Sequence, residues 1–324
     1  MNPALKSLLT RTAAVAGGTL VSNNAFSTII HQRLALLTEA ANLYRDKLDK
    51  SGTTGYVFSF NRPVQLHACL ASYFHHAQNP TPLIVQYGAT TPEADKAYTE
   101  VKALMKGNPV TFVKETTCRE TLLAELAKLT TPKIFFLMDD IVFINPVDMV
   151  QFTAINPLEY VPTLRMHPGL TTCYTMNMPQ HPPTTLAPSK AHKGMLQWAW
   201  GDAANEWDYP CSLDGNLFDT AEVVMIARAS PFKAPNSLEG VIHGFAAALR
   251  PRAGLCYAKP VLFNNPCNRV QTEIANRAGE TQAFSPEQFL AEWAKGNRIH
   301  FEALQGIPAE APHHEVAFTF IPRK

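Results

Sequence analysis

The stretch Lys133-Ile134-Phe135-Phe136-Leu137-Met138-Asp139-Asp140 decides the fold. After Lys133 it is a short apolar run, which is typical of a buried strand. Two adjacent carboxylates follow at once, and buried adjacent carboxylates are costly unless a cation or hydrogen bonds offset their charge. The stretch therefore predicts a strand with a polar site at its carboxyl end. The alternative, that the pair only caps the next turn or begins a loop, stays open at this point.

Three further apolar runs precede this strand, and each is followed by a segment of helical spacing. The runs are Tyr56–Phe60, Leu83–Tyr87 and Val110–Val113. Strand and helix alternating three times before a fourth strand predict a parallel sheet covered by helices on both faces. Ligands of such sheets bind beyond the carboxyl ends of the strands. The segments that follow the first and fourth strands, residues 60–63 and 139–140, are therefore the candidate site.

Residues 55 to about 250 resemble a glycosyltransferase of the GT-A type, closest in style to family 2. The resemblance rests on Phe58-Ser59-Phe60-Asn61-Arg62-Pro63 and on the acidic motif within Phe135–Phe143. The usual motif is Asp-x-Asp or three acids in a row, whereas here Met138 precedes the acidic pair and Ile141 follows it.

This resemblance implies a GT-A-like, Rossmann-type mixed sheet flanked by helices. Before it, the helical spacing of Leu34, Leu37, Ala41 and Tyr44 predicts a helix from about Phe26 to Leu48 in an N-terminal extension. The resemblance also implies a divalent cation, Mn²⁺ or Mg²⁺, whose charge suits oxygen ligands and phosphates. Asp140 would touch the metal, and Asp139 would face the ribose or a metal-bound water. Phe60, Asn61 and Arg62 would contact the nucleotide.

Two later stretches, Asp214–Phe218 and Pro235–Glu239, resemble the acceptor region of the same family. On that resemblance Glu239 is the candidate general base, because an inverting transfer needs one carboxylate to take the proton of the attacking hydroxyl. Asp214 would contact sugar hydroxyls and is the second candidate base. Both residues have other readings: Asp214-Gly215 is also a strong turn signal, and Glu239 also suits the first turn of a helix.

The tail adds two candidates. Arg269 could hold a phosphate bidentately, although a surface ion pair is the commoner fate of an arginine. His314 is the candidate for the C-terminal histidine that GT-A enzymes often use as an extra metal ligand, while His300 and His313 are read as structural or exposed. Residues 167–195, rich in Pro and Thr, predict a long functional loop.

Three tryptophans, Trp198, Trp200 and Trp207, suit either the apolar face of a sugar or the core. The sequence alone leaves both readings open.

Composition narrows the class of protein. Lys and Arg total 28 against 27 Asp and Glu, so the balance gives no sign of a nucleic-acid partner. The six cysteines form no C-x-x-C pair, which disfavours a zinc cluster and predicts reduced thiols in the cytoplasm. No apolar run approaches the roughly 20 residues of a membrane span. Residues 1–26 have a weak signal-peptide outline and are interpreted as a poorly ordered or peripheral extension, which leaves contact with the inner face of a membrane open.

Taken together, residues 1–54 are predicted to form an N-terminal extension and helix, and residues 55–150 a nucleotide-sugar-binding half. Residues 151–324 would be the acceptor-binding half and C-terminal segment of the same domain. The predicted function is metal-assisted transfer of a sugar from a nucleotide-diphosphate sugar to a hydroxyl of a glycan or lipid-linked acceptor, with inversion. The alternatives are a sugar nucleotidyltransferase, a metal-dependent phosphohydrolase and a non-catalytic carbohydrate- or nucleotide-binding protein.

Overall fold

The computed structural model describes residues 23–202, 204–273, 276–281 and 283–323, so most of the predicted 1–26 extension lies outside the described residues. The strands are β1 (Thr53–Phe60), β2 (Ala77–Gln78), β3 (Leu83–Gly88), β4 (Val110–Lys114), β5 (Lys133–Met138), β6 (Ile141–Phe143), β7 (Val147–Asp148), β8 (Tyr160–Pro162), β9 (Thr172–Cys173), β10 (Met178–Pro179), β11 (Ala187–Pro188), β12 (Met195–Trp198), β13 (Leu217–Asp219), β14 (Ala253–Tyr257), β15 (Leu262–Asn264), β16 (Asn297–Ile299) and β17 (Phe320–Pro322). The helices are α1 (Asn23–Arg45), α2 (Pro63–His76), α3 (Pro92–Leu104), α4 (Cys118–Leu126), α5 (Met149–Ala154), α6 (Thr220–Ala229), α7 (Pro235–His243), α8 (Ala246–Leu249) and α9 (Pro286–Ala294).

The central sheet has the strand order β13-β5-β1-β3-β4. Strand β1 pairs in parallel with β3 and β5, and β3 pairs in parallel with β4. Strand β13 pairs antiparallel with β5. The sheet is therefore mixed, with helices flanking it, and the predicted Rossmann-type α/β fold is confirmed.

This strand order contains a reversal of direction beside β1. The chain moves outward from β1 through β3 to β4, and then crosses back to place β5 on the other side of β1. Open α/β sheets bind ligands at such a switch point, in the crevice beyond the carboxyl ends of the strands. The register sets Phe58 opposite Met138, so β1 and β5 end close together and their following loops meet at this crevice.

Both faces of the sheet are buried. On one face Val57 packs with Phe135 and Leu137, and on the other Tyr56 and Phe58 pack among further apolar side chains, including those of α4, α6 and α7. Side chains alternate between faces along a strand, so a strand covered on both sides must be apolar at nearly every position. This is why β1 is largely apolar from Tyr56 to Phe60 and β5 is apolar from Ile134 to Met138.

The three tryptophans lie in the core. Trp198 and Trp207 are buried, and the ring centroids of Trp198 lie 4.8 Å from Trp200 and 5.0 Å from Trp207. The indole N–H of Trp198 donates to the carbonyl oxygen of Trp207 at 3.0 Å. Of the two interpretations, the structure therefore supports the one in which these tryptophans belong to the hydrophobic core.

Two helices differ from their predicted bounds. The N-terminal helix, predicted over 26–48, spans Asn23–Arg45. As cap residues, Asn236 and Ser237 predict one helix that runs through Leu249, but α7 begins at Pro235 and ends at His243, and α8 follows as a separate short helix. Gly244 follows α7, and glycine is a common residue where helices end.

Helix α1 packs against α6. Arg45 donates through Nε and Nη2 to both carboxylate oxygens of Asp219, each at 2.9 Å. Asp219 is also the N-cap of α6, where its side chain accepts from the backbone N–H of Glu222 at 3.0 Å. One carboxylate thus ties the N-terminal helix to the start of α6. In the part of the chain that the structure describes, no helix is long and apolar enough to cross a membrane.

Acidification is expected to unfold the protein partly through His67 on α2. This ring is 5 % exposed, packs edge-on against Trp293 and has its pKa lowered to about 4, first by burial and then by Arg298 and Arg323. The unfolded chain binds the proton near pH 6.5 while the folded chain resists it, so stability is lost as pH falls from about 6.5 to 4. A shift of this size corresponds to about 3 kcal/mol.

Urea unfolding at pH 7 and pH 5 tests this expectation with His67→Met, which keeps an apolar side chain of similar size. The loss of unfolding free energy between the two pH values should be smaller in the variant. His181 is exposed, and His181→Met is the matched control that should leave the pH dependence as in the wild type. Equal losses in His67→Met and the wild type would contradict the assignment.

Candidate functional site

A cleft of about 700 Å³ opens at the carboxyl ends of β1 and β5. Phe60 and the Asp139-Asp140 pair lie on one wall, and Asp214 and Glu239 lie in the same cleft from the later half of the chain. Cavities of this volume hold nucleotide-sized molecules. The segments that the sequence singled out after the first and fourth strands therefore meet around one binding space.

The turn after β1 places Arg62 against the acidic pair. Asn61 adopts a left-handed conformation, with φ at 56°, and exchanges two hydrogen bonds of 2.8 Å with Thr90. Asparagine tolerates this conformation better than most residues. The turn lets α2 begin at Pro63, whose fixed φ suits the first helical position, and Arg62 becomes the N-cap residue.

All four oxygens of the acidic pair accept a hydrogen bond from the protein. Asp139 accepts from the backbone N–H of Phe60 at 3.2 Å and from Nη1 of Arg62 at 3.0 Å. Asp140 accepts from the same Nη1 at 2.8 Å and from the side-chain amide of Asn264 at 2.8 Å. Burial raises the pKa of both carboxyls, and the Arg62 guanidinium opposes that rise.

This arrangement constrains how a divalent cation could bind. Within the described residues, no group of three or more His, Cys, Asp or Glu side chains is placed to hold a metal ion. Both carboxylates line the cleft, and each accepts two hydrogen bonds and keeps further lone pairs on its oxygens. Mg²⁺ sites commonly use one or two carboxylates and complete the shell with substrate phosphates and water. The acidic pair would fit a cation of that kind only if substrate phosphates and water completed its shell, since the described residues supply no third acidic, histidine or cysteine ligand.

A second buried network of alternating charge lies in the later half of the chain. Nη1 of Arg165 donates to Glu206 at 2.6 Å, the imidazole of His313 lies 3.8 Å from Glu206, and its Nε2 lies 3.2 Å from Asp214. Arg165 and His313 hold the pKa of Glu206 at about 2 in spite of its burial. The neighbouring carboxyl groups of Asp214 and Glu206 raise the pKa of His313 to about 10 in spite of burial. His313 is therefore placed to form an ion pair with Asp214 at the wall of the cleft.

Glu239 is fixed by two donors. Its Oε1 accepts from the hydroxyl of Tyr209 at 3.1 Å and its Oε2 from the backbone N–H of Leu213 at 2.7 Å. Burial, followed by the charge of Asp214, raises the pKa of Glu239 above its ordinary value. Glu239 lies in the second turn of α7, beyond the first turn where the helix dipole favours an acid, so the dipole does not account for its place. An oriented carboxylate with a raised pKa is the arrangement that general bases use.

Seven of the nine predicted site residues line the cleft: Phe60, Arg62, Asp139, Asp140, Asp214, Glu239 and Arg269. Arg269 is exposed, and its Nη1 donates to the carbonyl oxygen of Asn276 at 3.4 Å. Asn61 is outside the lining, turned toward Thr90. His314 is outside it as well, with its ring edge-on to Phe263 at 5.9 Å.

The histidine that lies in the cleft is the neighbour, His313. Its backbone forms a bridge with Asn264, so this segment is extended, and adjacent residues of an extended chain point to opposite sides. Only one of the two histidines can therefore face the cleft. The sequence offered the pair but no signal for choosing between them, and it gave none for Arg165, Glu206 or Asn264.

The predicted loop between 167 and 195 also reaches the site. It contains only the short strands β9, β10 and β11, and Tyr174 and Thr175 line the cleft. The segment is a long loop as predicted, and its role in function stays a prediction.

No protein-family model and no curated protein matches this chain. Many solved structures resemble parts of it, among them the following three. The mannosyltransferase PcManGT of Pyrobaculum calidifontis, in complex with GDP-Man and Mn²⁺, is 15% identical, with 42% of this chain and 46% of that chain covered and a TM-score of 0.29. The apo structure of the bifunctional glycosyltransferase WbbM is 11% identical, with 61% and 38% covered and a TM-score of 0.33. A nucleotidyl transferase from Methanothermobacter is 10% identical, with 64% and 88% covered and a TM-score of 0.36.

This chain spans less than half the length of the first two of these structures. Identities and TM-scores this low transfer no activity, substrate or metal to it. Its function has to be argued from the cleft itself.

Proposed function

We propose that the protein is a glycosyltransferase that moves a sugar from a nucleotide-diphosphate sugar to a hydroxyl of a glycan or lipid-linked acceptor. The observation that carries the proposal is the pairing, across one cleft at the sheet's switch point, of Asp139-Asp140 with the oriented carboxylate of Glu239. A group-transfer reaction of this kind needs a place for the leaving diphosphate and a base for the incoming hydroxyl.

In the proposed reaction each residue of the cleft has a separate role. Glu239 takes the proton of the acceptor hydroxyl as its oxygen attacks the anomeric carbon, and attack from the side opposite the diphosphate inverts that carbon. Asp214, paired with His313, hydrogen-bonds hydroxyls of the sugar. Arg269 and Lys233, both exposed in the cleft, bind the diphosphate. A cation held by Asp140, Mn²⁺ or Mg²⁺, would supply further positive charge to the leaving diphosphate.

A non-catalytic nucleotide- or carbohydrate-binding protein is the second candidate. It is favoured by Arg62, which already donates to both carboxylates that a metal would use. The two functions differ at Glu239, since a binding protein has no use for a general base. The nucleotidyltransferase alternative is not favoured, because the turn after β1 reads Phe60-Asn61-Arg62-Pro63 and has no glycine-rich phosphate loop. A phosphohydrolase would release phosphate with no acceptor present.

The donor site is tested by thermal unfolding with UDP, GDP, CMP and TDP compounds, each with and without Mn²⁺. One nucleotide with Mn²⁺ should raise the unfolding midpoint, since ligand at about 100 times its Kd stabilises the native state by roughly 2.7 kcal/mol. Mn²⁺ alone should give little shift, because Asp140 offers too few ligands without the diphosphate.

Asp140→Asn should abolish the metal-dependent part of this shift. Asp49 is exposed and precedes β1, at the opposite end of the strand from the cleft, so Asp49→Asn is the matched control and should behave as the wild type. The absence of a shift with every nucleotide, with and without Mn²⁺, would leave the fold as described and rule out the donor site.

A further inference from the structure

At one end of the cleft an aromatic ring and a carboxylate lie close together, on either side of a glycine. Phe60, the last residue of β1, is 38% exposed and lines the cleft, as does Glu115, which follows β4. Between them lies Gly88, at the end of β3. A Cβ added to Gly88 would lie 2.6 Å from the Phe60 ring and 2.6 Å from Oε1 of Glu115. Both distances are far below van der Waals contact, so any other residue at position 88 would push the ring and the carboxylate out of place.

The Glu115 carboxylate is held in a fixed orientation from beneath. The side-chain amide of buried Gln86 donates to Oε2 of Glu115 at 2.8 Å and to the carbonyl oxygen of Cys118 at 3.0 Å. The oxygen of the same amide accepts from the hydroxyl of Tyr56 at 2.6 Å. This chain fixes the plane of the carboxylate at the cleft wall, and each of its oxygens keeps a lone pair for a further donor.

Phe60 connects this end of the cleft to the acidic pair. Its backbone N–H donates to Asp139, and its ring lies over Gly88 toward Glu115. A nucleotide whose diphosphate lies near Asp140 would therefore extend its base along the Phe60 ring toward the Glu115 carboxylate.

Resting on the proposed function, we propose that this end of the cleft binds the base of the donor and that the base is guanine. A carboxylate only accepts hydrogen bonds, and guanine presents two adjacent donors, N1–H and the 2-amino group, that match its two oxygens. Uracil and thymine present one N–H between two carbonyl oxygens. Cytosine and adenine present an amino group beside an acceptor nitrogen. With each of these bases one oxygen of Glu115 would face another acceptor.

The ring of Phe60 supplies the second part of the site. Every base has an aromatic face, so stacking on Phe60 adds affinity without choosing between bases. Selection is left to Glu115, since two matched hydrogen bonds to a base edge commonly distinguish it from the wrong base by about tenfold to a hundredfold.

Calorimetric titration of the full chain with GDP, IDP, UDP, ADP and CDP, in the presence of Mn²⁺, tests the proposal. GDP should bind most tightly, and IDP, which lacks the 2-amino group, about tenfold more weakly. Glu115→Gln should weaken GDP tenfold to a hundredfold and bring it close to UDP, because the amide turns a donor toward one donor of guanine. Glu93→Gln, an exposed glutamate that does not line the cleft, is the matched control and should keep the wild-type order.

Phe60→Leu separates stacking from selection and should weaken all five nucleotides by a similar factor without changing their order. Thermal unfolding of each variant without ligand shows whether it is folded. Tightest binding of a nucleotide other than GDP, or GDP affinity unchanged in Glu115→Gln, would overturn the guanine proposal and leave the donor site standing. If no nucleotide binds at all, the proposed function fails and this inference fails with it.

Discussion

Replacement of Glu239 by glutamine is expected to lower the turnover number about 10²- to 10⁴-fold while the Kd of the nucleotide stays close to its wild-type value. A positioned general base contributes an acceleration of this size. Glutamine can keep both present contacts, with its oxygen accepting from the N–H of Leu213 and its amide donating to the hydroxyl of Tyr209. The geometry is thus retained and only the proton acceptor is lost. Product formation from the nucleotide sugar selected by the binding experiments measures the effect.

The pH dependence identifies the base independently of the magnitude. Burial and Asp214 raise the pKa of Glu239, so the ionised form that acts as a base is lost as pH falls through a value above the ordinary range of glutamate. The wild type should show this acidic limb in kcat, and Glu239→Gln should lack it. If Asp214→Asn removes the limb and Glu239→Gln keeps it, the base is Asp214. Full turnover in both variants would favour the non-catalytic binding protein.

The part of the fold that is encoded locally could be predicted from the sequence. The strand Lys133–Met138 contains the whole apolar run Ile134–Met138, because both faces of the sheet are buried and nearly every position must be apolar. Asp219 caps α6 as its residue type suggests, since a carboxylate at this position satisfies a free backbone N–H. In such cases the physical cause lies within a few residues of its effect.

The order of the strands could not be predicted, because it depends on pairings between residues far apart in the chain. The repeat of strand and helix predicts a parallel sheet, but nothing in β5 indicates that it pairs with β1 and not with β4. The switch point that locates the cleft follows from that pairing. The two adjacent histidines could not be distinguished for the same reason. His313 contacts Asp214, which lies about 100 residues earlier in the chain, whereas the local sequence makes His314 an equal candidate.

The contact of Arg62 with Asp139 and Asp140 is the clearest case. The sequence indicates that a cation or hydrogen bonds must offset the charge of the pair if it is buried, and the expected cation is a divalent metal. The structure places a guanidinium there, from a residue 77 positions before Asp139. The need to offset the negative charge could be inferred from the two adjacent carboxylates. That Arg62 supplies the positive charge could not be inferred, because its position depends on the left-handed turn at Asn61 and on β1 lying beside β5.

Removal of that guanidinium is expected to destabilise the fold by about 3–5 kcal/mol in Arg62→Met. The side chains of Arg62, Asp139 and Asp140 are each exposed by 10% or less, so two carboxylates would be left without a compensating charge away from water. Breaking a buried pair costs far more than breaking an exposed one, which contributes about 1 kcal/mol or less. Urea unfolding at pH 7 measures the difference, and Arg250→Met, which breaks the more exposed pair with Asp208, is the matched control.

The same variant shows how Arg62 and a divalent cation relate. If the guanidinium occupies the place that a free metal would take, Mn²⁺ alone should stabilise Arg62→Met, because the oxygens of both carboxylates that faced Nη1 become available. Mn²⁺ alone should not stabilise the wild type or Arg250→Met. Equal stabilisation of all three proteins would place the metal away from these oxygens. A loss of stability in Arg62→Met no larger than that in Arg250→Met would mean that the pair is not held by Arg62, and Asn264 and the backbone of Phe60 would then be sufficient to hold it.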